Sequence, residues 1–165
     1  MCQKAIYPGS FDPVTYGHLD IIQRAQRLFD TVVIAVAGNS QKKPLFSVKE
    51  RLNMLKKATQ GMDGVVITHF DGLVVDYARK NKLGVIIRGL RMVSDFEYEF
   101  QMALTNRKLA SDVETIFLMP AEQYSYISSR LLKETAGLGA DISSFVPGYV
   151  QDALKAKCRS SRRNR

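Results

Sequence analysis

The sequence predicts an α/β protein, a doubly wound sheet of five parallel strands with helices on both faces. Short runs rich in β-branched residues alternate with stretches of helical periodicity along the whole chain. Strands joined by helices run parallel, because a right-handed crossover returns the chain to the same end of the sheet. The 165 residues, 45% hydrophobic and 24% charged, suit a single globular domain with its own core.

The predicted strands are short apolar runs, and turn-forming residues bound them on either side. They cover residues 3–7, 32–37, 65–68, 84–87 and 114–119. In a doubly wound sheet, ligands bind beyond the carboxyl ends of the strands, near the point where the strand order reverses. We therefore expect the functional residues to follow strands directly.

The predicted helices lie between and after these strands and place their apolar residues three and four positions apart. They cover residues 18–29, 47–60, 73–81, 94–109, 127–136 and 147–157. Ser47, with Glu50 three positions later, forms the pattern of a capping box at the start of the second helix. The glycines at 137 and 139 are expected to close the fifth helix, because glycine adopts the left-handed conformation easily.

The formal net charge of +8 is concentrated at the carboxyl end of the chain. Residues 155–165 contain six basic residues and no acidic ones, which leaves +2 for residues 1–154. We expect one domain over residues 1–158 and a basic, flexible tail over residues 159–165, with no specific nucleic-acid partner. The alternative is a nucleic-acid-binding module, whose affinity would fall steeply with added salt and with deletion of the tail.

The sequence does not favour an exported, membrane-bound or metal-centred protein. Its first residues lack the apolar region of a signal peptide, and no apolar run reaches the roughly 18 residues that cross a bilayer. We therefore expect a cytoplasmic protein with no membrane partner. Cys2 and Cys158 are far apart, and His18 and His69 are the only histidines, so neither a transition-metal site nor a redox dithiol is expected.

The most informative segment is the turn over residues 8–18, PGSFDPVTYGH, which follows the first strand and leads into a helix. Its small residues allow the backbone to approach a ligand, and its amides precede a helix start, where the dipole favours anions. We interpret it as a phosphate site with His18 at the helix entrance. The alternative is a tight turn in which His18 only caps the helix. Neither GxxxxGK[ST] nor GxGxxG is present, so P-loop enzymes and dinucleotide dehydrogenases do not fit.

Two arginines follow the fourth strand and mark a second candidate phosphate contact. Arg88 and Arg91 lie on either side of Gly89, and guanidinium groups at a strand's carboxyl end suit phosphate oxygens. An ordinary surface loop is the alternative. Glu99, in the helix that follows, could face the same crevice or lie in solvent, whereas Asp95 is explained by the helix dipole.

Three further segments follow strands and could contribute to the same crevice. Ser128 and Ser129 could serve phosphate or only cap a helix, and Arg130 beside them adds positive charge that capping does not require. A lysine of residues 39–44 could reach the crevice, with solvated charge as the alternative. The mostly apolar loop over residues 69–74 could line an uncharged part of a substrate.

Four segments together resemble the bacterial phosphopantetheine adenylyltransferases. They are residues 7–18 (YPGSFDPVTYGH), 87–91 (IRGLR), 95–99 (DFEYE) and 127–130 (ISSR). The TYGH element alone is typical of a wider superfamily of nucleotidyltransferases and class I aminoacyl-tRNA synthetases, but the combination is specific, and the resemblance covers residues 3–157. It implies a Rossmann-like fold, a homohexamer, Mg²⁺, and reversible adenylyl transfer from ATP to 4′-phosphopantetheine, which yields dephospho-coenzyme A and pyrophosphate.

The resemblance also implies a role for each matching position. His18, Lys42 and Arg91 would be catalytic, with His18 stabilising the transition state. Contacts to phosphopantetheine are implied for Ser10, Lys42, Val74 and Arg88. Contacts to ATP are implied for Ser10, Phe11, His18, Gly89, Leu90, Arg91, Glu99, Tyr124, Ser125, Tyr126, Ile127, Ser128, Ser129 and Arg130.

Three positions depart from the family's common pattern. Ser10 stands where threonine is also common and keeps the hydroxyl, and Tyr124 stands where some relatives have tryptophan and keeps an aromatic wall. Arg130 replaces a hydroxyl residue that is often third in the Ser-Ser-Ser/Thr motif, so its backbone is the part that could still contribute.

Overall fold

The structure is a computed structural model that describes residues 3–38 and 44–163, with side chains as far as Arg159. No helix in this part of the chain is long and apolar enough to cross a membrane.

The predicted five-stranded parallel sheet is confirmed. Its strands are β1 (Lys4–Gly9), β2 (Thr31–Ala37), β3 (Val65–Phe70), β4 (Val85–Gly89) and β5 (Glu114–Leu118). All neighbours pair in parallel in the order β3-β2-β1-β4-β5. The order reverses between β1 and β4, so the crevice of this doubly wound sheet lies beyond the carboxyl ends of these two strands.

Helices follow the strands at the predicted positions, with two main differences. Their bounds are α1 (Tyr16–Gln26), α2 (Val48–Ala58), α3 (Val74–Lys80), α4 (Val93–Leu109), α5 (Glu122–Ser125), α6 (Ser129–Gly137) and α7 (Gly148–Arg163). The four-residue α5 was not predicted, because one turn is too short to show helical periodicity. The last helix continues six residues past its predicted end at 157. β1, β3 and β4 each end two residues later than predicted, so Pro8, His69 and Arg88 are strand residues and not the predicted turn or loop residues.

Local hydrogen bonds set the helix ends. The predicted capping box of α2 is confirmed: Ser47 accepts from the Glu50 amide, and the Glu50 carboxylate accepts from the Ser47 amide. Gly139 has a φ of 95°, which agrees with the predicted glycine stop after α6. Ser128 caps α6, and its hydroxyl accepts from the Leu131 amide.

Helices cover both faces of the sheet, as predicted. Along β1, Ala5 and Tyr7 point into a core that includes residues of α1, α2, α6 and α7. Ile6 points the other way, into a smaller core that includes Val75 and Ala78 of α3. This alternation follows from the two-residue period of a strand, and it makes β1 a buried central strand that fixes the turn after it.

Candidate active site

The candidate site is a pocket beyond the carboxyl ends of β1 and β4, at the reversal of strand order. Its walls come from the turn after β1, the start of α1, the end of β4, α4, and the start of α6. The lining residues are Tyr7, Pro8, Gly9, Ser10, Phe11, Thr15, Gly17, His18, Ile21, Arg88, Gly89, Arg91, Glu99, Pro120, Ile127, Ser128, Ser129 and Arg130. The turn after β1, the two arginines at the end of β4 and the two serines at the start of α6 are far apart in the sequence. The fold therefore brings them together in one pocket.

Phe11 forms the floor beneath the turn. Its side chain is 1% exposed, and its ring meets the rings of Tyr7 and His18 edge-on at centroid distances of 5.4 and 5.0 Å. A Cβ on Gly9 would lie only 2.9 Å from this ring, which explains the glycine. Phe11 itself has a φ of 46°, a left-handed conformation that costs energy in a phenylalanine and is held by this packing. The ring thus supports the turn and His18 from below.

His18 uses one ring nitrogen to cap α1. Its Nδ1 accepts the backbone N–H of Thr15 at 3.0 Å, and the Thr15 hydroxyl accepts the His18 amide at 3.3 Å. Because Nδ1 accepts a hydrogen bond from an amide, the neutral ring carries its proton on Nε2. The two interpretations of His18 from the sequence are therefore compatible. Nδ1 caps the helix, and Nε2–H is left as a donor on a residue that lines the pocket.

The surroundings of His18 keep its imidazole neutral. Burial, and then the positive charge of Arg91, lower its pKa to about 4 from the ordinary value of 6.5. Burial penalises the charged ring, and a nearby cation penalises it further. At neutral pH, His18 therefore offers a hydrogen bond from Nε2 without carrying a charge of its own.

Arg88 is held rigidly by the groups around it. Its guanidinium donates to both carboxylate oxygens of Glu99, at 2.7 and 2.6 Å, and to the carbonyl of Pro8 at 3.0 Å. Burial is the largest single influence on Arg88 and lowers its pKa, but the hydrogen bonds to Glu99 and the negative charge of that carboxylate together raise the pKa of the guanidinium overall. The Glu99 side chain is 12% exposed, so of its two predicted environments the structure shows the crevice and not solvent.

Arg91 connects the end of β4 with the segment that enters α6. Its guanidinium donates to the carbonyl of Ile127 at 2.7 Å and pairs with Asp95 at 3.1 Å. Asp95 therefore orients an arginine of the site, in addition to its expected place in the first turn of a helix. The two arginines enter the pocket with their directions already fixed by protein oxygens.

The start of α6 forms the opposite wall. Ser128 is the N-cap, but Ser129 is the first helical residue, and its hydroxyl donates to the carbonyl of Pro13 at 2.9 Å instead of capping. The Arg130 side chain is 80% exposed and pairs with Glu134 one turn along the helix. The amides at this helix start are therefore the groups best placed to meet an anion.

Some of the residues implied by the resemblance are not part of the pocket lining. Val74 begins α3 and packs against the core on the opposite face of the sheet. Tyr124 lies behind Gly17, where a Cβ would be 3.5 Å from the Tyr124 Cβ. Lys42 lies outside the described residues. Leu90, Ser125 and Tyr126 lie near the pocket in the chain but are not among its lining residues.

Other residues of the pocket lining were not predicted individually from the sequence. They are Tyr7, Pro8, Gly9, Thr15, Gly17, Ile21 and Pro120. Ile21 was detectable in principle, because it lies three positions after His18 on the same helical face. Burial raises the pKa of the Tyr7 hydroxyl, which therefore stays protonated beside the arginines. In the sequence, only the position of Tyr7 in a buried strand next to the turn could have indicated that this residue belongs to the pocket.

The pocket combines positive side chains with hydrogen-bond donors, which suits phosphate. The groups that can donate hydrogen bonds to phosphate oxygens are Arg88, Arg91, the hydroxyl of Ser10, Nε2–H of His18 and the amides of α6. Within the described part of the chain, no group of three or more His, Cys, Asp or Glu residues could hold a metal ion. The arrangement fits a transfer between phosphates that depends on orientation and charge.

Comparison with curated proteins shows high similarity over nearly the whole chain. A phosphopantetheine adenylyltransferase of Caldanaerobacter subterraneus subsp. tengcongensis is 56% identical over 157 residues, which cover 95% of this chain and 98% of the relative. A phosphopantetheine adenylyltransferase of Dictyoglomus thermophilum is 54% identical over 154 residues, which cover 93% of this chain and 94% of the relative.

Solved structures with the same fold include adenylyltransferases. A bifunctional NMN adenylyltransferase/ADP ribose pyrophosphatase of Francisella tularensis, solved with AMP and a manganese ion, matches with a TM-score of 0.69 at 17% identity, over 94% of this chain and 49% of that one. A lipopolysaccharide core biosynthesis protein of Thermoplasma volcanium matches with a TM-score of 0.54 at 20% identity, over 72% of this chain and 96% of that one. The cytidylyltransferase-like family model matches residues 6–135. This chain belongs to the phosphopantetheine adenylyltransferases, within the cytidylyltransferase-like family.

Proposed function

We propose that this enzyme transfers the adenylyl group of ATP to 4′-phosphopantetheine, reversibly, and releases dephospho-coenzyme A and pyrophosphate. This is the penultimate step of coenzyme A synthesis. The observation that carries the proposal is the neutral His18, with its free Nε2–H in a pocket that Arg88 and Arg91 share. The names of the 54–56% identical relatives support the choice of acceptor.

The proposed reaction is a direct in-line displacement. An oxygen of the 4′-phosphate attacks the α-phosphorus of ATP, the new P–O bond forms, and the bond from α-phosphorus to the bridging oxygen breaks. Pyrophosphate leaves with that electron pair. The attacking phosphate is already an anion, so neither a protein nucleophile nor a covalent enzyme intermediate is needed, and catalysis depends on positioning and charge stabilisation.

Each donor of the pocket has a proposed place in this reaction. His18 donates from Nε2 to an α-phosphoryl oxygen as negative charge builds there, and Arg91 steadies the triphosphate. Arg88, oriented by Glu99, binds the incoming phosphate together with Ser10. The catalytic role of Lys42 and the contact of Val74 with phosphopantetheine follow from family resemblance alone.

The remaining proposed contacts are with ATP. The start of α6 would meet the phosphates through Ser128, Ser129 and the backbone of Arg130. The adenosine and its ribose would lie along Gly89, Leu90, Glu99 and the segment over residues 124–127. Ser10 and Phe11 would contact ATP from the turn, Phe11 mainly through its backbone because its ring is buried.

Mg²⁺ is the proposed metal, and it would arrive with the triphosphate. The pocket presents arginines, and the one carboxylate among its described lining residues, Glu99, is engaged with Arg88. This fits a metal that keeps several waters and binds mainly to substrate phosphates. When bound, it would neutralise part of the charge of the triphosphate.

We also propose that the enzyme is a cytoplasmic homohexamer. Support for assembly comes from α4, which exposes apolar residues on several sides, including Val93, 90% exposed, and the stacked rings of Phe96 and Phe100. Such a surface is typical of an interface between subunits. No membrane or nucleic-acid partner is proposed.

The reverse reaction tests the proposed function. Wild-type enzyme supplied with dephospho-coenzyme A and pyrophosphate is expected to form ATP. If only nicotinamide or glycerol substrates reacted, a related nucleotidyltransferase activity would replace the proposal.

The first prediction concerns His18. His18→Ala is expected to lower kcat by roughly a hundredfold or more, with ATP affinity comparatively intact, because the lost hydrogen bond acts mainly in the transition state. Single-turnover kinetics and ATP titration measure the two effects separately. Near-normal turnover in this variant would contradict the assigned role.

A further inference from the structure

The carboxylate of Asp12 joins three segments of the chain beside the pocket. Asp12 is 4% exposed, and its two oxygens each accept a backbone N–H at 2.9 Å, from Leu45 and from Phe46. One of these oxygens also pairs with Nζ of Lys133 at 2.5 Å. The turn after β1, the entry to α2, and helix α6 are therefore held by one buried carboxylate.

Lys133 lies in the middle of α6 and connects this helix to the turn. It lies four positions after Ser129 and one turn from the residues of α6 that line the pocket. Neither Lys133 nor Asp12 lines the pocket itself. The opposite wall is the turn that carries Ser10 and leads to His18, so the distance between the walls depends on how α6 rests on this turn.

A second tether is present but weaker. The Ser129 hydroxyl donates to the carbonyl of Pro13 at 2.9 Å, a bond between neutral groups. A charge-assisted bond at a buried position is stronger than a neutral one. Arg51, which is 1% exposed, fixes the other side of the turn through its hydrogen bond to the Ser10 carbonyl at 2.8 Å. The turn is therefore held on both sides, and the ion pair with Asp12 is the charged contact through which α6 is attached to it.

We propose that Lys133 is a positioning residue for the triphosphate of ATP, acting through its ion pair with Asp12. The pair sets the spacing between the start of α6 and the turn that carries Ser10 and His18. This inference rests on the proposed function, because it requires ATP phosphates to bridge these two walls. Lys133 need not touch a substrate.

The experiment compares Lys133→Met with wild-type enzyme in the full chain. Asp12 keeps both amide hydrogen bonds in this variant, so the turn and the entry to α2 keep their anchor. The KM for ATP, and the KM for pyrophosphate in the reverse direction, are expected to rise on the order of tenfold, because misplaced walls bind the triphosphate less well. The KM for 4′-phosphopantetheine should change by less than about twofold, since its proposed contacts do not lie on α6.

Two further variants separate positioning from stability. Lys133→Arg keeps the charge and should restore most of the affinity for ATP and pyrophosphate. Lys157→Met removes a different lysine–carboxylate pair, with Glu50 at 2.9 Å, that lies outside the pocket, and it should leave all three KM values unchanged. If Lys133→Met is too unstable for kinetics, calorimetric titration of Lys133→Arg and Lys133→Gln with pyrophosphate makes the same comparison.

The results decide between clear alternatives. An unchanged KM for ATP in Lys133→Met overturns the inference, and so does an equal rise of every KM that follows a loss of thermal stability. A failed proposed function is distinguishable, since wild-type enzyme itself would then show no turnover of dephospho-coenzyme A.

Discussion

His18 uses its two ring nitrogens for different purposes. Nδ1 belongs to the cap of α1, and Nε2 is free for a ligand. One side chain therefore both ends the turn and serves the pocket, and a change at Thr15 would alter the direction of the donor as well as the helix start.

The second prediction concerns the protonation of His18. NMR of the imidazole should show a midpoint near pH 4, and no protonation of His18 between pH 8 and 6, because burial and Arg91 disfavour the cation. The unfolded chain takes up this proton near pH 6.5, so the contribution of the neutral ring to stability is complete above that pH and is lost as the pH falls towards 4. A His69→Gln background leaves one histidine signal. A midpoint near 6.5 would show that the ring is not buried as described.

The third prediction concerns the glycine that faces the floor of the turn. Gly9→Ala should lower the free energy of unfolding by ~1–3 kcal/mol, and activity with it, because the new methyl would meet the Phe11 ring at 2.9 Å. Denaturant unfolding and the reverse assay measure both effects. Gly84→Ala is the matched control, since nothing lies within 4 Å of its Cβ position, and it should change stability by less than about 1 kcal/mol. Equal stability of the two variants would contradict the proposed packing of Phe11.

At the scale of elements, the site is assembled from helix starts and strand ends. The starts of α1 and α6 and the ends of β1 and β4 meet because parallel strands bring their carboxyl ends to one edge of the sheet. The helix caps there hold the structure together and also face the pocket.

The fourth prediction compares two serine N-caps. Ser47→Ala and Ser128→Ala should each lower the free energy of unfolding by about 1 kcal/mol, since each removes a hydroxyl that accepts a helix amide. Only Ser128→Ala should also raise the KM for ATP, because Ser128 lines the pocket and Ser47 does not. Thermal unfolding and steady-state kinetics provide both quantities. If both variants shifted the KM equally, the effect would come from stability and not from the site.

At the scale of the whole molecule, α4 exposes apolar side chains that no other part of the described chain covers. It exposes apolar residues, including Val93, Phe96 and Phe100, while Glu99, on the same helix, orients Arg88. An interface on α4 would therefore be formed by a helix that also contributes Glu99 to the pocket.

The fifth prediction concerns assembly. Light scattering of the full chain should give a mass near six times the 18.5 kDa of one chain. Phe100→Glu should reduce this mass, because it introduces a charge into the apolar surface of α4. Leu28→Glu, at a similarly exposed position two residues after the end of α1, should leave the mass unchanged. A monomeric wild-type enzyme would contradict the proposed hexamer.

The order of elements along the chain was predictable because it depends on local patterns. β-branched runs, helical spacing, and the Ser47–Glu50 box are properties of neighbouring residues, and each was found where the sequence placed it. The short α5 and the later ends of β1, β3, β4 and α7 were not predicted, since one helical turn and the last residues of an element leave little periodic pattern in the sequence.

The sequence by itself determined the fold class, the family, and the turn that is proposed to meet phosphate, because these depend on motifs that are continuous in the chain. Only the tertiary structure decided how the parts act on one another. It paired Arg88 with Glu99, assigned the free nitrogen of His18, and tied Lys133 to Asp12 across 121 positions. Side-chain partners distant in sequence are chosen by packing and burial, which no local pattern of residues encodes.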